Sequence, residues 1–208
     1  QNNHRIALST LEGLLFVKSR TLIWSTMILD FFSTLFSSAT VLLPIFARDI
    51  LVVGPQGLGL LYAAPSVGAV AAGLIMARTG TIKRQGVVLL TAVGIYGIAT
   101  IVFGLSKSFI LSLVALSVVG AGDSVSTIIR NVVRNIETPD YIRGRMTSIN
   151  MIFFMGGPQL GEFEAGILAA AVGGPLSVVM GGIGTLIVVG IVAGLIPAIR
   201  RYHVQENN

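Results

Sequence analysis

Long apolar runs separated by short polar segments make up most of the chain. A bilayer-spanning helix needs about 20 mostly apolar residues, and six runs reach this length, at roughly residues 22–46, 57–77, 86–105, 109–129, 147–172 and 176–198. The segments between them carry charged residues or the helix breakers Gly and Pro. The pattern predicts an all-α membrane protein with a six-helix transmembrane bundle over residues 21–202.

The two ends of the chain depart from this pattern. We expect residues 1–20 to form a cytoplasmic linker with a short amphipathic helix between Ala7 and Lys18, and residues 203–208 to form a cytoplasmic tail. The chain begins with Gln1 and has no signal-peptide pattern. We therefore expect it to be part of a longer protein.

Charge sets the predicted orientation in the membrane. Only 11% of the residues are charged, against about 25% in a soluble domain. The basic residues lie at the ends of apolar runs rather than on one face, which argues against nucleic-acid binding. With a cytoplasmic N-terminus, twelve of the 14 Lys and Arg residues face the cytoplasm, and only Arg48 and Lys107 face the opposite side. Because cytoplasmic loops are enriched in positive charge, both ends should lie on the cytoplasmic side of a plasma (bacterial inner) membrane.

Cysteine and histidine contribute no candidate site. The chain has no cysteine, and its two histidines, His4 and His203, lie in the end segments. These facts exclude disulfides, thiol catalysis and thiolate metal sites. We expect no metal or organic cofactor.

Small residues recur at helical spacing in two of the predicted spans. The second span has them at Ala64, Gly68 and Ala72, and the fifth at Gly157, Gly161, Ala165 and Ala169. Such rows allow helix backbones to approach closely in lipid. We therefore expect both spans to use these faces for helix packing.

Asp30 lies at the centre of a polar stripe in the first span. Thr26, Ser33, Thr34, Ser37 and Ser38 share its helical face. A charge in a membrane span costs at least about 2.5–3.5 kcal/mol on insertion scales, so the stripe should line water or substrate. We accordingly expect Asp30→Asn to remove the function of this stripe and leave membrane insertion near normal.

Three further carboxylates fall within predicted spans. Asp123 shares a face with Thr127 and Arg130, which fits pairing with an arginine as well as a transport role. Glu162 and Glu164 project about 200° apart around one helix, so only one can face a cavity squarely. Gln159 lies on the side of Glu162, which favours Glu162 as the cavity-facing residue.

Two loop segments resemble signatures of the major facilitator superfamily. GLIMARTGTIKR, from Gly73 to Arg84, is similar to the second copy of the loop signature G-x-x-x-D-R-x-G-R-R, with Gly73, Arg78 and Gly80 in register. Ala77 stands in the aspartate position, and the basic pair is displaced to Lys83 and Arg84.

The second segment, ETPDYIRGRMTSIN, resembles the T-P-x-x-x-R-G-R element of the drug and siderophore exporter branch, which includes enterobactin exporters. Its matching positions are Thr138, Pro139, Arg143, Gly144 and Arg145. The resemblance covers nearly the whole chain but only the second six helices of the superfamily.

This resemblance implies two inverted three-helix repeats, half of a 12-helix fold. The first and fourth spans, with Asp30 and Asp123, would line the transport pathway, and the basic loop from Arg78 to Arg84 would act as a conformational latch. The partners implied are a small-molecule substrate, protons, the lipid bilayer and a missing N-terminal six-helix half. The predicted function is secondary active export of a small molecule, such as a drug or siderophore, by an antiporter-type permease that uses proton antiport and alternating access.

Other functions compete with this prediction. Gly120-Ala121-Gly122-Asp123 spells the G-x-G-D motif of intramembrane aspartyl proteases, and Asp30 could supply the second carboxylate. Such a match arises easily by chance in a chain with 25 glycines. A serine protease is excluded because neither histidine lies in a span, and no channel signature is evident. We therefore expect a transporter and no enzyme.

Overall fold

The computed structural model describes residues 20–36, 39–80, 82 and 84–200, and this part of the chain contains helices and no strand. Seven helices are labelled in chain order: α1 (Thr21–Phe36), α2 (Gly54–Thr79), α3 (Gln85–Leu105), α4 (Phe109–Glu137), α5 (Arg143–Val172), α6 (Gly174–Leu195) and the short α7 (Pro197–Arg200). Short helical turns at Ala39–Leu42, Leu43–Ile45 and Phe46–Ile50 connect α1 to α2. The expected amphipathic helix and the tail at 203–208 lie outside the described residues.

The helices agree with the predicted second, third and sixth spans. The first span, predicted at 22–46, is described as α1 to Phe36 followed by the short helical turns, and the fourth and fifth spans are longer than predicted. The predicted loop from Arg130 to Arg145 is mostly helical, because α4 continues to Glu137 and α5 begins at Arg143. Thr138 and Pro139 separate α4 from a single turn at Asp140–Ile142, which leads directly into α5. Arg130 and Arg134 therefore belong to a membrane helix, which corrects their assignment to a loop.

Five segments of the described chain are long and apolar enough to cross a membrane: Leu22–Ile50, Gly54–Thr79, Gln85–Leu105, Phe109–Glu137 and Gly174–Leu195. Helix α5 is 30 residues long, which is ample for a crossing, but Gln159, Glu162 and Glu164 interrupt its apolar run. The predicted all-α membrane fold is thus confirmed, and α5 differs from the other long helices in its polarity.

The long helices pack in two groups. Helix α4 packs on α2 and α3, whereas α1 packs on α5 and α6. Contact between α3 and α6 joins the groups, and α1 touches α4 only locally. This local contact brings the polar faces of α1 and α4 together.

The small-residue rows lie where the sequence predicts them. Gly68 of α2 lies directly on the backbone carbonyl of Ser117, and Gly120 of α4 lies on the backbone of Pro65. A side-chain carbon at either glycine would overlap those atoms. In α5, Gly157 meets the hydroxyl of Thr34 on α1 in the same way. The expected packing faces of α2 and α5 are confirmed.

Apolar clusters hold the two ends of the bundle. One contains Phe46 and Phe103, whose rings stack with centroids 4.4 Å apart. Another joins Leu29 of α1, Ile129 of α4 and Ile199 of α7. These clusters position α1 and α4, which also share a buried polar contact.

Candidate functional site

A buried ion pair joins α1 and α4. Arg130 Nη1 lies 2.5 Å from Asp30 Oδ1, and the two side chains are only 4% and 6% exposed. A buried charge without a partner would be strongly destabilising. Each of these residues therefore compensates the buried charge of the other.

Helix α4 positions Arg130 with its own side chains. Arg130 Nη2 donates to the Thr127 hydroxyl at 2.8 Å, and Arg134 Nε donates to the Arg130 carbonyl at 3.2 Å. Arg134 Nη2 also donates to Asn131 Oδ1 at 2.6 Å. Spacings of three and four place these residues along one side of α4. Of these bonds, the one to Thr127 holds the Arg130 guanidinium itself, which also contacts Asp30 of α1.

Two hydroxyls flank the pair with no hydrogen-bond partner among the described residues. Ser33 follows Asp30 by one turn on α1, Ser126 precedes Arg130 by one turn on α4, and both are buried. Buried polar groups in native proteins are usually satisfied. These two hydroxyls are available to a water or a substrate group that enters between the helices.

The remaining threonines of the α1 stripe bond to their own helix. Thr26 donates to the carbonyl of Ile23, and Thr34 donates to the carbonyls of Asp30 and Phe31. Thr26 is buried in the bundle. The stripe thus faces neighbouring helices in this structure instead of an open, water-filled space, and Ser37 and Ser38 lie outside the described residues.

Asp123 occupies a different environment from Asp30. It is exposed on the surface of the six-helix bundle, one turn before Thr127 on the same side of α4. It lies close enough to Asp30 to act on it electrostatically, as does Arg134. The arginine contributed by α4 pairs with Asp30 in the described structure, although the sequence allowed a pairing with Asp123.

The polar residues of α5 do not meet this pair. Gln159 and Glu162 are exposed, while Glu164 is half-buried. The buried face of α5 instead carries Gly157, Gly161 and Ala165. Glu162 could therefore reach a transport pathway only if another part of the protein covers this face of α5.

The residues of the first loop motif lie at one end of the bundle. Gly73 is half-buried in α2, and Arg78 and Arg84 are exposed. Gly80 ends α2 with a φ of 68°, a conformation that favours glycine. Lys83 lies outside the described residues.

The second loop motif surrounds the start of α5. Arg143 pairs with Asp140 at 2.7 Å, and Gly144 and Arg145 are exposed. Pro139 is half-buried, whereas Thr138 is 4% exposed and its hydroxyl has no partner among the described residues. The motif therefore contains one buried polar group as well as its surface charges.

Sequence reasoning placed Arg130 on the Asp123 face but beyond the end of the fourth span, and it missed Arg130 as a site residue and as the partner of Asp30. A signal was present: Asp123, Thr127, Arg130 and Arg134 follow one another at spacings of three and four. A helix that continues through Arg130 would have placed an arginine on the polar side of α4.

The geometry also weighs against an aspartyl protease. A catalytic pair of aspartates must share a proton at close range. Asp30 instead faces the guanidinium of Arg130, and Asp123 is exposed.

Comparison with known proteins agrees with the transporter prediction. The transmembrane secretion effector family matches residues 2–206. The chain is similar to the enterobactin exporter EntS of Escherichia coli O1:K1 / APEC, with 27% identity over 195 residues, covering 93% of this chain and 46% of that protein. The enterobactin exporter EntS of Citrobacter koseri is 27% identical over 194 residues, again covering 93% and 46%.

The chain thus spans about half the length of the curated relatives it matches. The family match covers almost every residue, and the relatives are exporters rather than enzymes. The prediction of a multi-pass membrane protein of a transporter family, and of no enzyme, is confirmed. The chain belongs to the transmembrane secretion effector family of the major facilitator superfamily.

Proposed function

We propose that this chain is the C-terminal half of a proton-driven exporter that works by alternating access. The buried Asp30–Arg130 ion pair carries the proposal, because it places a protonatable group between the two packing groups of helices. Intramembrane ionisable residues commonly mark ion or proton pathways. The relatives named as enterobactin exporters support export of a small molecule, such as a drug or a siderophore.

The packing pattern supports two inverted three-helix repeats, α1–α3 and α4–α6. In this scheme α1, α2 and α3 are equivalent to α4, α5 and α6, respectively. Exchanging equivalent helices turns the α2–α4 contact into the α5–α1 contact. The same exchange converts α3–α4 into α6–α1 and maps α3–α6 onto itself. Such internal symmetry is the usual architecture of secondary transporters, and their sites lie at the repeat interface. Asp30 and Arg130 occupy that interface.

Protonation of Asp30 would couple the gradient to movement. A proton on the carboxyl removes one charge of the pair and leaves the Arg130 guanidinium facing a neutral group. A buried charge without its partner costs about 3–5 kcal/mol, so the protonated state favours separation of α1 from α4. Loss of the proton restores the attraction and closes the contact.

The substrate pathway would lie beside this contact. Ser33, Thr34 and Ser37 of the α1 stripe, Asp123 of α4, and Gln159 and Glu162 of α5 would contribute its polar lining. Asp123, Gln159 and Glu162 are exposed on the six-helix bundle, so an N-terminal six-helix half would have to enclose them. The chain's 46% coverage of its relatives supports such a half.

The orientation proposed here places both ends in the cytoplasm. With Arg130 buried, eleven of the twelve basic residues first assigned to that side still face it, against Arg48 and Lys107 opposite. The loops with Arg78, Lys83 and Arg84, and with Pro139, Arg143, Gly144 and Arg145, would then act as cytoplasmic latches.

Transport in inverted membrane vesicles tests the coupling. Vesicles carrying the full-length protein should accumulate a fluorescent dye when a proton gradient is imposed. Asp30→Asn should abolish this uptake, whereas the matched change Asp49→Asn, at an exposed site, should not. Gradient-driven uptake by a correctly inserted Asp30→Asn protein would refute the role of Asp30, and uptake that ignores the gradient in the wild type would refute antiport.

A further inference from the structure

A small polar cavity opens where α4 ends and α5 begins, apart from the Asp30–Arg130 contact. Its volume is about 120 Å³, roughly four times the space of a water molecule in the liquid. Its polar lining includes Arg134 and Arg143, with the amides of Asn135 and Asn150. No carboxylate is among the described residues that line it.

The charge inside this cavity is positive and incompletely balanced. Arg134 is half-buried, and no carboxylate of the described chain forms an ion pair with it. Arg143 is paired with Asp140, whose carboxylate is 88% exposed and lies outside the lining. Because a half-buried cation is disfavoured without a compensating group, the cavity favours an anionic occupant.

The Thr138 hydroxyl is independent evidence for a ligand. Thr138 lines the cavity, is 4% exposed, and has no hydrogen-bond partner for its hydroxyl among the described residues. A buried hydroxyl left unbonded is costly. An oxyanion in the cavity would accept a hydrogen bond from it.

The start of α5 adds a third contribution. Helix α5 begins at Arg143 with no side-chain cap, and the Arg143 N–H donates to the carbonyl of Asp140 in the turn that leads into it. The dipole of this long helix favours negative charge at its N-terminal end.

We propose that this cavity binds a phosphate group, held by Arg134, Arg143 and the Thr138 hydroxyl. Arginine offers paired N–H donors that match phosphate oxygens. The phosphate could belong to an anionic lipid headgroup or to a free phosphate compound of the cytoplasm, given the orientation proposed above. The site gives Thr138 and Arg143 of the T-P-x-x-x-R-G-R element a shared ligand, and it does not depend on proton coupling.

Thermal unfolding of the full-length protein in neutral detergent provides the test. A ligand that binds only the folded state raises Tm with its concentration. The probes are inorganic phosphate and short-chain phosphatidylglycerol, each titrated at constant ionic strength. Short-chain phosphatidylcholine is the zwitterionic control.

Arg134→Gln and Thr138→Val should each weaken binding of the active probe about tenfold, the loss expected from one charge-assisted hydrogen bond. Thr138→Ser, which keeps the hydroxyl, should bind as the wild type does. Arg78→Gln is the charge-matched control, because it removes an exposed arginine outside the cavity. Arg143→Gln, at a half-exposed side chain, keeps the test valid if the Thr138→Val protein does not fold.

Stabilisation by phosphatidylglycerol alone identifies a lipid headgroup, and stabilisation by inorganic phosphate identifies a soluble ligand. The proposal is overturned if neither probe raises Tm more than phosphatidylcholine does. It is also overturned if Arg78→Gln weakens binding as much as Arg134→Gln.

Discussion

Helix α4 meets two neighbours by opposite means. Against α2 it packs through glycines, with Gly120 on the backbone of Pro65 and Ser117 on Gly68. Against α1 it makes a local contact through the buried pair of Arg130 and Asp30. The first contact depends on close backbone approach, with one hydrogen bond from Ser124 Oγ to the Ala69 carbonyl at 3.3 Å, whereas the second contains a buried pair of charges.

The two contacts respond differently to conditions. Close packing of small residues has no protonatable group, so neither pH nor membrane potential acts on it directly. A buried ion pair is a poor source of net stability because desolvation offsets the attraction. The energy of the pair does, however, change sharply when one proton is added to its carboxylate. A transporter that keeps α2 and α4 together while α1 and α4 separate would need this division.

The largest effect should come from the packed contact. Gly120→Ala places a side-chain carbon in the backbone of Pro65. Overpacking typically costs about 1–3 kcal/mol, and this overlap should cost well above that range because backbone atoms cannot move aside as a side chain can. The measurement is the yield and Tm of the purified protein. Gly94→Ala is the control, since a carbon there has no neighbour within 4 Å. A Gly120→Ala protein as stable as Gly94→Ala would mean that α2 and α4 do not approach this closely.

Breaking the ion pair should cause the next-largest loss of stability. Asp30→Asn leaves a guanidinium buried without its partner and should destabilise the protein by about 3–5 kcal/mol. This differs from the near-normal insertion expected from sequence alone, because Asp30 is paired and buried rather than solvated.

Arg130→Met should cost less than Asp30→Asn, since an isolated carboxylate can be neutralised by a proton and a guanidinium cannot. Its Tm deficit should shrink as the pH is lowered. The double variant Asp30→Asn/Arg130→Met should recover most of the Tm lost in Asp30→Asn. Strictly additive losses of stability would contradict direct pairing. The measurement is Tm across a pH series.

Asp123→Asn should have a smaller effect on stability. Asp123 is exposed in the bundle, and exposed substitutions usually change stability by less than about 0.5 kcal/mol. Its charge nevertheless acts on Asp30. We therefore expect a near-normal Tm together with a shifted pH dependence of transport, measured in the vesicle assay. A Tm loss as large as that of Asp30→Asn would place Asp123 inside the ion pair.

A test of orientation in the membrane uses substitutions that should not change the structure. The chain lacks cysteine, so an introduced thiol reports its own exposure. Thr79→Cys at the end of α2 and Ser108→Cys before α4 are both exposed positions. In sealed cells an impermeant maleimide should label Ser108→Cys and spare Thr79→Cys. The same result is expected with Arg130→Met added, because a buried arginine does not set orientation as a loop arginine does. Reversed labelling would invert the proposed topology.

The hydrophobic pattern accounted for most of the fold but not for the environment of single residues. Run length and the positions of glycine and proline predicted the helices, because a membrane span must satisfy its own backbone. Gly174 and Gln85, which look like loop positions in the sequence, are buried. The boundary error at Arg130 arose because a charged residue ends an apolar run whether or not the helix ends with it.

Sequence alone determined the membrane class, the rows of small residues, the two loop motifs and the position of Asp30 within a polar stripe. These follow from composition and from spacing along single helices, which local periodicity records. Only the tertiary structure decided that Asp30 faces Arg130, that Asp123 does not, and that Thr138 and Arg143 share a cavity with Arg134. Those relations join residues on different helices or across a turn, and their distances depend on how closely glycines let the helices approach.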